Sequence, residues 1–138
     1  MQVFVTGNDP SGRSAVRRIV DVDATGLTGI WPPPDGGSTT FPTGAPIDIG
    51  LRPGESRCFT VYFPPGAGVP ANSTRQPSMH WTRSTDFDSV LVGSISLILE
   101  AESVVLEVGD LAVIPGIKHD WRAGPLGCLM LVVAVGAE

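Results

Sequence analysis

The sequence has little of what disulfide-rich, metal-cluster or nucleic-acid-binding proteins need. Its 138 residues include two cysteines, two histidines and one lysine, and the formal net charge is −5. Two cysteines cannot build a disulfide framework. The nine basic residues are scattered along the chain, so no extended phosphate-binding face is expected. We therefore expect no nucleic-acid partner.

Long uncharged runs are also scarce. The uncharged run between Asp23 and Asp35 contains Trp31 and three prolines, which makes it no candidate for a membrane span. Asp9 and Arg13 interrupt the start of the chain before any apolar segment typical of a signal peptide. These features predict a protein without membrane contact, in a cytoplasmic, reducing compartment.

The abundant glycines and prolines and the spacing of the turns predict one all-β domain over residues 1–138. The 17 glycines and 13 prolines disfavour helix interiors and separate short alternating segments. Turns recur about every 8–12 residues, which is typical of sandwiches and barrels. The expected strands cover residues 2–6, 15–22, 57–63, 87–93, 94–100, 104–108, 111–114, 118–122 and 127–135.

The candidate site residues are the two histidines and the acids that follow His80. His80 and Asp86 are separated by an even number of residues, so an extended chain directs both to one face. Asp86 and Asp88 are in phase with Val90 and Val92, which predicts that both acids face the interior. A buried carboxylate needs a partner, and a histidine or a metal ion would supply one.

Residues 79–123 resemble a cupin domain. The first cupin motif has two histidines, a glutamate and a closing glycine; their places are taken here by His80, Thr82, Asp86 and Gly93. The second motif is represented by Gly109, Pro115, Gly116 and His119, with one residue fewer between the proline and the glycine. Thr82 and Asp86 are the departures from the family pattern within the ligand set.

The resemblance implies a double-stranded β-helix, the cupin jelly-roll barrel, with its core at about 55–136 and extra amino-terminal strands. It further implies one divalent metal ion (Fe, Mn, Ni or Zn) held by His80, Asp86 and His119. The implied function is an enzyme acting on a small organic substrate, of decarboxylase, lyase, isomerase or dioxygenase type. By the same analogy we expect a homodimer.

Two other functions remain open at this point. In the first, no metal is bound, and His119 with Asp86 or Asp88 forms the acid–base pair of a cyclase or isomerase. In the second, the barrel is a non-catalytic binding module for a small molecule. For all three functions the residues expected to line the pocket are Thr82, Trp121, Tyr62 and Arg57.

Other polar and sulfur-containing residues are interpreted as structural. Cys58 and Cys128 lie in apolar strand segments, so we expect two buried, unpaired thiols. Lys118, the single lysine, is expected to be exposed at a turn. Glu100 and Glu102 flank the turn of a hairpin and are expected to serve solubility.

Overall fold

The computed structural model describes residues 1–22, 25–32 and 40–138, and these ranges contain seven strands and no helix. The prediction of an all-β chain is therefore confirmed, and no helix in these ranges could cross a membrane. The strands are β1 (Gln2–Asn8), β2 (Ser14–Asp21), β3 (Ser56–Phe63), β4 (Ser84–Leu99), β5 (Ser103–Glu107), β6 (Leu111–Pro115) and β7 (His119–Gly136).

The strands are joined in the order β2-β1-β6-β4-β7-β3, with β5 paired to β4. All pairs are antiparallel except β1 with β6. The amino half of β4 pairs with β6, whereas its carboxyl half pairs with β5, and β7 follows β4 along both halves. This arrangement, in which two long strands serve both parts of the sheet, agrees with the predicted jelly-roll barrel.

β4 and β7 are each longer than the sequence pattern predicted. Gly93 was expected to end one strand, and residues 118–122 and 127–135 were expected to be separate. Instead the register shifts around Gly93, where a positive φ of 77° produces a bulge that the strand passes through. Since the bulge changes the phase, the buried positions are even-numbered before it and odd-numbered after it. Val92, predicted to face inward, is consequently exposed.

The inward faces of β4 and β7, which are neighbours in the sheet, supply much of the main core. The strands contribute aliphatic side chains on alternate positions, as expected for strands with one buried face. On β4 these are Val90, Ile95, Leu97 and Leu99, and on β7 they are Cys128, Met130 and Val132. The alternation places Ser84, Asp86 and Asp88 among the same inward-facing residues of β4.

The turn between β4 and β5 is hydrogen-bonded to β2. Glu100 and Glu102, which were expected to serve solubility, make these bonds. Glu100 Oε2 accepts a hydrogen bond from the Ser14 backbone N–H at 2.9 Å, and Glu102 Oε1 accepts one from the Val16 N–H at 2.8 Å. In return Ser14 Oγ accepts from the Glu100 N–H at 2.7 Å. The carboxylates thus pair edge N–H groups of β2 that would otherwise be open to another strand.

The two cysteines are free, as predicted, but they differ in environment. Cys128 is buried in the core, and burial raises the pKa of its thiol to about 11. Cys58 is exposed, contrary to prediction, because β3 is the last strand of the sheet and only Phe63 of its residues is buried.

Gly93 is expected to be the most sensitive glycine of the β4–β7 pair. A Cβ at this position would overlap the carbonyl oxygen of Gly127. The overlap adds about 1–3 kcal/mol, as in overpacked cores, to the cost of about 1–2 kcal/mol for a left-handed residue with a Cβ. Gly93→Ala should therefore lower the free energy of unfolding by several kcal/mol in urea denaturation.

Gly109→Ala is the matched control. Gly109 also has a positive φ, of 92°, but a Cβ there meets nothing within 4 Å. Gly109→Ala should be destabilised only by the conformational cost of a left-handed residue with a Cβ. Equal losses for the two variants would show that the close approach of β4 and β7 at Gly93 does not matter.

Candidate functional site

The two histidines face each other across a short backbone bridge. His80 precedes β4, His119 opens β7, and each backbone N–H donates to the other's carbonyl oxygen, at 2.9 and 2.8 Å. Residues paired in this way have their side chains side by side. The two imidazole rings are accordingly 4.4 Å apart between centroids.

A backbone carbonyl fixes the tautomer of His119. Its Nδ1 lies 2.9 Å from the Ile117 carbonyl oxygen, which only accepts, so Nδ1 carries the proton and Nε2 has the free lone pair. His80 Nδ1 has two neighbours of opposite kind, the accepting Ser78 carbonyl oxygen at 3.0 Å and the donating Arg75 Nη1 at 3.2 Å. Its Nδ1 carries the proton in the hydrogen bond to Ser78, and Nε2 then has the free lone pair.

Both imidazoles are held in the neutral form. Burial, followed by the neighbouring His80 and then by Arg75, lowers the pKa of His119 to about 3. Burial and the charge of Arg75 lower the pKa of His80, although its Ser78 hydrogen bond and Asp120 oppose the shift. His119 is only 3% exposed, whereas His80 is half-buried and accessible from outside.

Trp121 and Arg75 complete the surroundings of this histidine pair. Trp121 meets His119 edge-on at 5.8 Å between centroids, in agreement with the prediction that the two share a face. Arg75 Nη1 lies 3.2 Å from His80 Nδ1 and 3.3 Å from the Ser78 carbonyl oxygen. The sequence pattern did not indicate Arg75, because it lies in a loop outside the motif; its five-residue distance from His80 was the only signal.

Asp86 belongs to a second polar cluster. Its Oδ1 accepts a hydrogen bond from Ser84 Oγ at 2.6 Å, and its Oδ2 accepts one from Thr82 Oγ1 at 3.3 Å. Burial raises the pKa of the Asp86 carboxyl despite these two hydrogen bonds. Thr82, which was predicted to line the pocket, is buried and donates its hydroxyl hydrogen to Asp86.

Asp88 lies beside Asp86 on the same inward face of β4. It is 3% exposed, and its Oδ1 finds no hydrogen-bond partner in the described ranges. Burial, reinforced by the charge of Asp86, raises the pKa of the Asp88 carboxyl well above its usual range. A neutral carboxylic acid at this position avoids the cost of a buried unpaired charge.

The donors present do not fit the predicted three-ligand metal site. Nowhere in residues 1–22, 25–32 and 40–138 do three His, Cys, Asp or Glu side chains come together in a group that could hold an ion. The reason is register: Asp86 pairs with Ala134 near the end of β7, whereas His119 begins β7 and pairs with Leu99. The structure thus keeps the histidines together and places Asp86 with hydroxyl groups instead.

Two of the predicted pocket residues lie elsewhere. Tyr62 is 48% exposed on β3. Arg57 is also exposed, and its guanidinium donates to the carbonyl oxygens of Ile49 and Gly50 at 2.9 and 3.2 Å. Both belong to the sheet edge, which the apolar alternation of β3 did not reveal, and neither contacts the histidine pair.

Two proteins of Diaporthe leptostromiformis are similar to this chain in sequence. They are the phomopsin biosynthesis cluster proteins C' and D. Each is 33% identical over 141 residues, and the match covers 82% of this chain and 72% of the relative. No family model matches the chain.

Solved structures of cupin type are similar in fold. An RmlC-like cupin from Shewanella frigidimarina NCIMB 400 is 20% identical, with a TM-score of 0.49 over 73% of this chain and 94% of its own. A putative ethanolamine utilization protein Q from Salmonella typhimurium LT2 is 15% identical, with a TM-score of 0.46 over 100% of this chain and 98% of its own. These likenesses concern the fold alone.

Asp88→Asn should change the pH dependence of stability. The folded state raises the pKa of Asp88 above its unfolded value of about 4, so it binds the proton more tightly than the unfolded state. The stabilisation is complete below the unfolded pKa and is lost as pH rises through the folded pKa. The variant, which stays neutral, should be more stable than the unaltered chain at pH 7, and the difference should shrink toward pH 4.

Thermal unfolding of both proteins between pH 4 and pH 8 measures this difference. Glu138→Gln, at the exposed carboxyl end, is the control for removing one carboxylate and should leave the pH profile unchanged. A constant difference between Asp88→Asn and the unaltered chain across this range would contradict the raised pKa.

Proposed function

The chain belongs to the family of the phomopsin biosynthesis cluster proteins C' and D and has the fold of a small cupin; on this premise we propose that it is a metal-independent enzyme of a biosynthetic pathway. Its reaction is proton transfer at the carbon next to a carbonyl or carboxylate group, of isomerase or cyclase type. The observation that carries the proposal is the neutral histidine pair with Arg75 beside it.

His80 is the general base. Its Nδ1 contacts the Ser78 carbonyl oxygen and Arg75 Nη1, so Nε2 is the ring nitrogen left for a substrate, and it is the basic atom when Nδ1–H donates to Ser78. The ring is half-buried, which leaves access for a substrate. Since its pKa is lowered, the imidazole is already unprotonated at neutral pH and ready to accept a proton.

Arg75 supplies the positive charge that this chemistry requires. Removing a proton next to a carbonyl group places negative charge on the carbonyl oxygen. A guanidinium binds such an oxygen or a substrate carboxylate through several N–H groups in a fixed plane. Arg75 Nη1 lies 3.2 Å from His80 Nδ1, so in this proposal a substrate that reaches Nε2 has the guanidinium beside the same ring.

His119 is a positioning residue in this proposal. It is buried between the His80 ring, at 4.4 Å, and the edge of Trp121. A neutral ring here holds the His80 imidazole in place without adding a like charge when His80 becomes protonated. His119 forms no acid–base pair with Asp86 or Asp88 in this proposal, because both acids belong to the polar cluster on β4.

The test is hydrogen–deuterium exchange at carbon. A panel of small keto acids and 1,3-dicarbonyl compounds is incubated with the protein in deuterated water, and loss of the C–H signal is followed by proton NMR. His80→Gln should reduce the enzyme-dependent exchange rate by about 10²–10⁴-fold, the usual contribution of a general base. Arg75→Gln should raise KM for carboxylate substrates and shift the acid limb of the pH profile upward.

Arg122→Gln is the matched control for Arg75, since it removes an exposed arginine of β7 outside the histidine pair. Unchanged exchange in His80→Gln, with folding verified by circular dichroism, would refute the base assignment. Calorimetric titration with Mn(II), Ni(II) and Zn(II) examines the metal alternative. Tight binding that His119→Gln abolishes, together with exchange that requires the ion, would overturn the metal-independent mechanism.

A further inference from the structure

A cavity lies apart from the histidine pair. It has a volume of about 460 Å³, within the range of small-molecule sites. The turn before β2, the segment at Phe41 and the end of β4 form its walls, with Asn8, Asp9, Pro10, Phe41, Glu100 and Lys118 among the lining residues. We call it the Lys118 cleft.

The cleft is separate from the site of the proposed function. Lys118 is half-exposed, whereas its neighbours Ile117 and His119 are buried. This alternation directs Lys118 away from the side on which His119 meets His80. The single lysine, expected to be simply exposed at a turn, instead lines a cavity.

Two opposite charges in the cleft retain unused hydrogen-bonding capacity. Glu100 Oε2 accepts from the Ser14 N–H, whereas within the described part of the chain Oε1 has only Lys118 Nζ as a neighbour, at 3.8 Å. That ion pair is long, so the three N–H donors of the ammonium group are available to a ligand. The Asp9 carboxylate, by contrast, is occupied by Ser11 and Arg13 within its own turn.

An apolar wall stands beside these charges. Phe41 stacks on Trp81 with the centroids 5.4 Å apart, and the Arg83 guanidinium lies over its ring at 4.8 Å. Gly116 leaves room for the ring, because a Cβ there would lie 2.6 Å from a Phe41 ring carbon. The aromatic ring is thus held in a fixed position, and Pro10 and Pro42 extend the apolar lining.

We propose that the Lys118 cleft binds a small zwitterion with an apolar group, namely an α-amino acid with an aliphatic or aromatic side chain. Its carboxylate binds the Lys118 ammonium group, its own ammonium group binds Glu100 Oε1, and its side chain lies against Phe41. A simple anion would meet Glu100 and a simple cation would meet Lys118. A ligand with both charges on one carbon atom satisfies the two neighbouring side chains together.

Calorimetry and NMR titration with L-leucine and L-phenylalanine test the proposal. We expect saturable binding, with shifts at residues around Lys118, and at least tenfold weaker binding by Lys118→Met. Glu100→Gln keeps an oxygen for the Ser14 N–H and should weaken binding through the ligand ammonium group. Arg122→Met, an exposed cation on β7 outside the cleft, is the matched control and should bind normally.

The ligand series tests the chemistry directly. N-acetyl-leucine lacks the ammonium group and leucine amide lacks the carboxylate, so both should bind at least tenfold more weakly than leucine. Binding of either analogue as tightly as leucine would overturn the zwitterion. Absence of binding by all these compounds, or equal binding by Lys118→Met and the unaltered chain, would overturn the site. His80→Gln should bind leucine normally, which keeps this result independent of the proposed catalysis.

Discussion

β4 and β7 pair along nearly their full lengths, and this antiparallel ladder positions both buried polar clusters. One end joins Leu99 to His119, and the other joins Asp86 to Ala134. The ladder can bend because Gly93 and Gly127, both with a φ of 77°, allow the two backbones to approach where the register shifts. The core, the histidine pair and the acid cluster all depend on this one pairing.

Burial then determines the charge of each cluster. His119 and His80 are favoured as neutral imidazoles because an apolar environment penalises the charged form. The same penalty favours the neutral acid at Asp88. His80 is thus a half-buried neutral imidazole, and the neutral His119 beside it adds no charge to the interior. Arg75 is a cation that contacts this pair, with its Nη1 3.2 Å from His80 Nδ1.

The fold by itself supports many chemistries. Thr82 and Asp86 occupy the two positions at which this chain departs from the cupin motif, and Thr82 Oγ1 donates a hydrogen bond to Asp86. The two departures are therefore linked by a hydrogen bond, while the two histidines contact each other.

The features that depend only on neighbouring residues could be predicted from the sequence. Strand alternation gave the all-β class, the inward direction of Asp86 and Asp88, and the common face of His119 and Trp121. Each follows from the two-residue period of an extended chain, which needs only neighbouring residues. The same reasoning was wrong at Val92, because a bulge shifts the period and the residues alone do not show where it occurs.

Only the tertiary structure decided which local features meet. That Asp86 lies with Thr82 and Ser84 follows from the register of long strands. The docking of Glu100 and Glu102 on β2 and the approach of Arg75 to His80 likewise join segments that no period connects. Alternation determines the face on which a side chain lies, whereas pairing between distant strands determines its neighbours, and the chemistry of this protein depends on those neighbours.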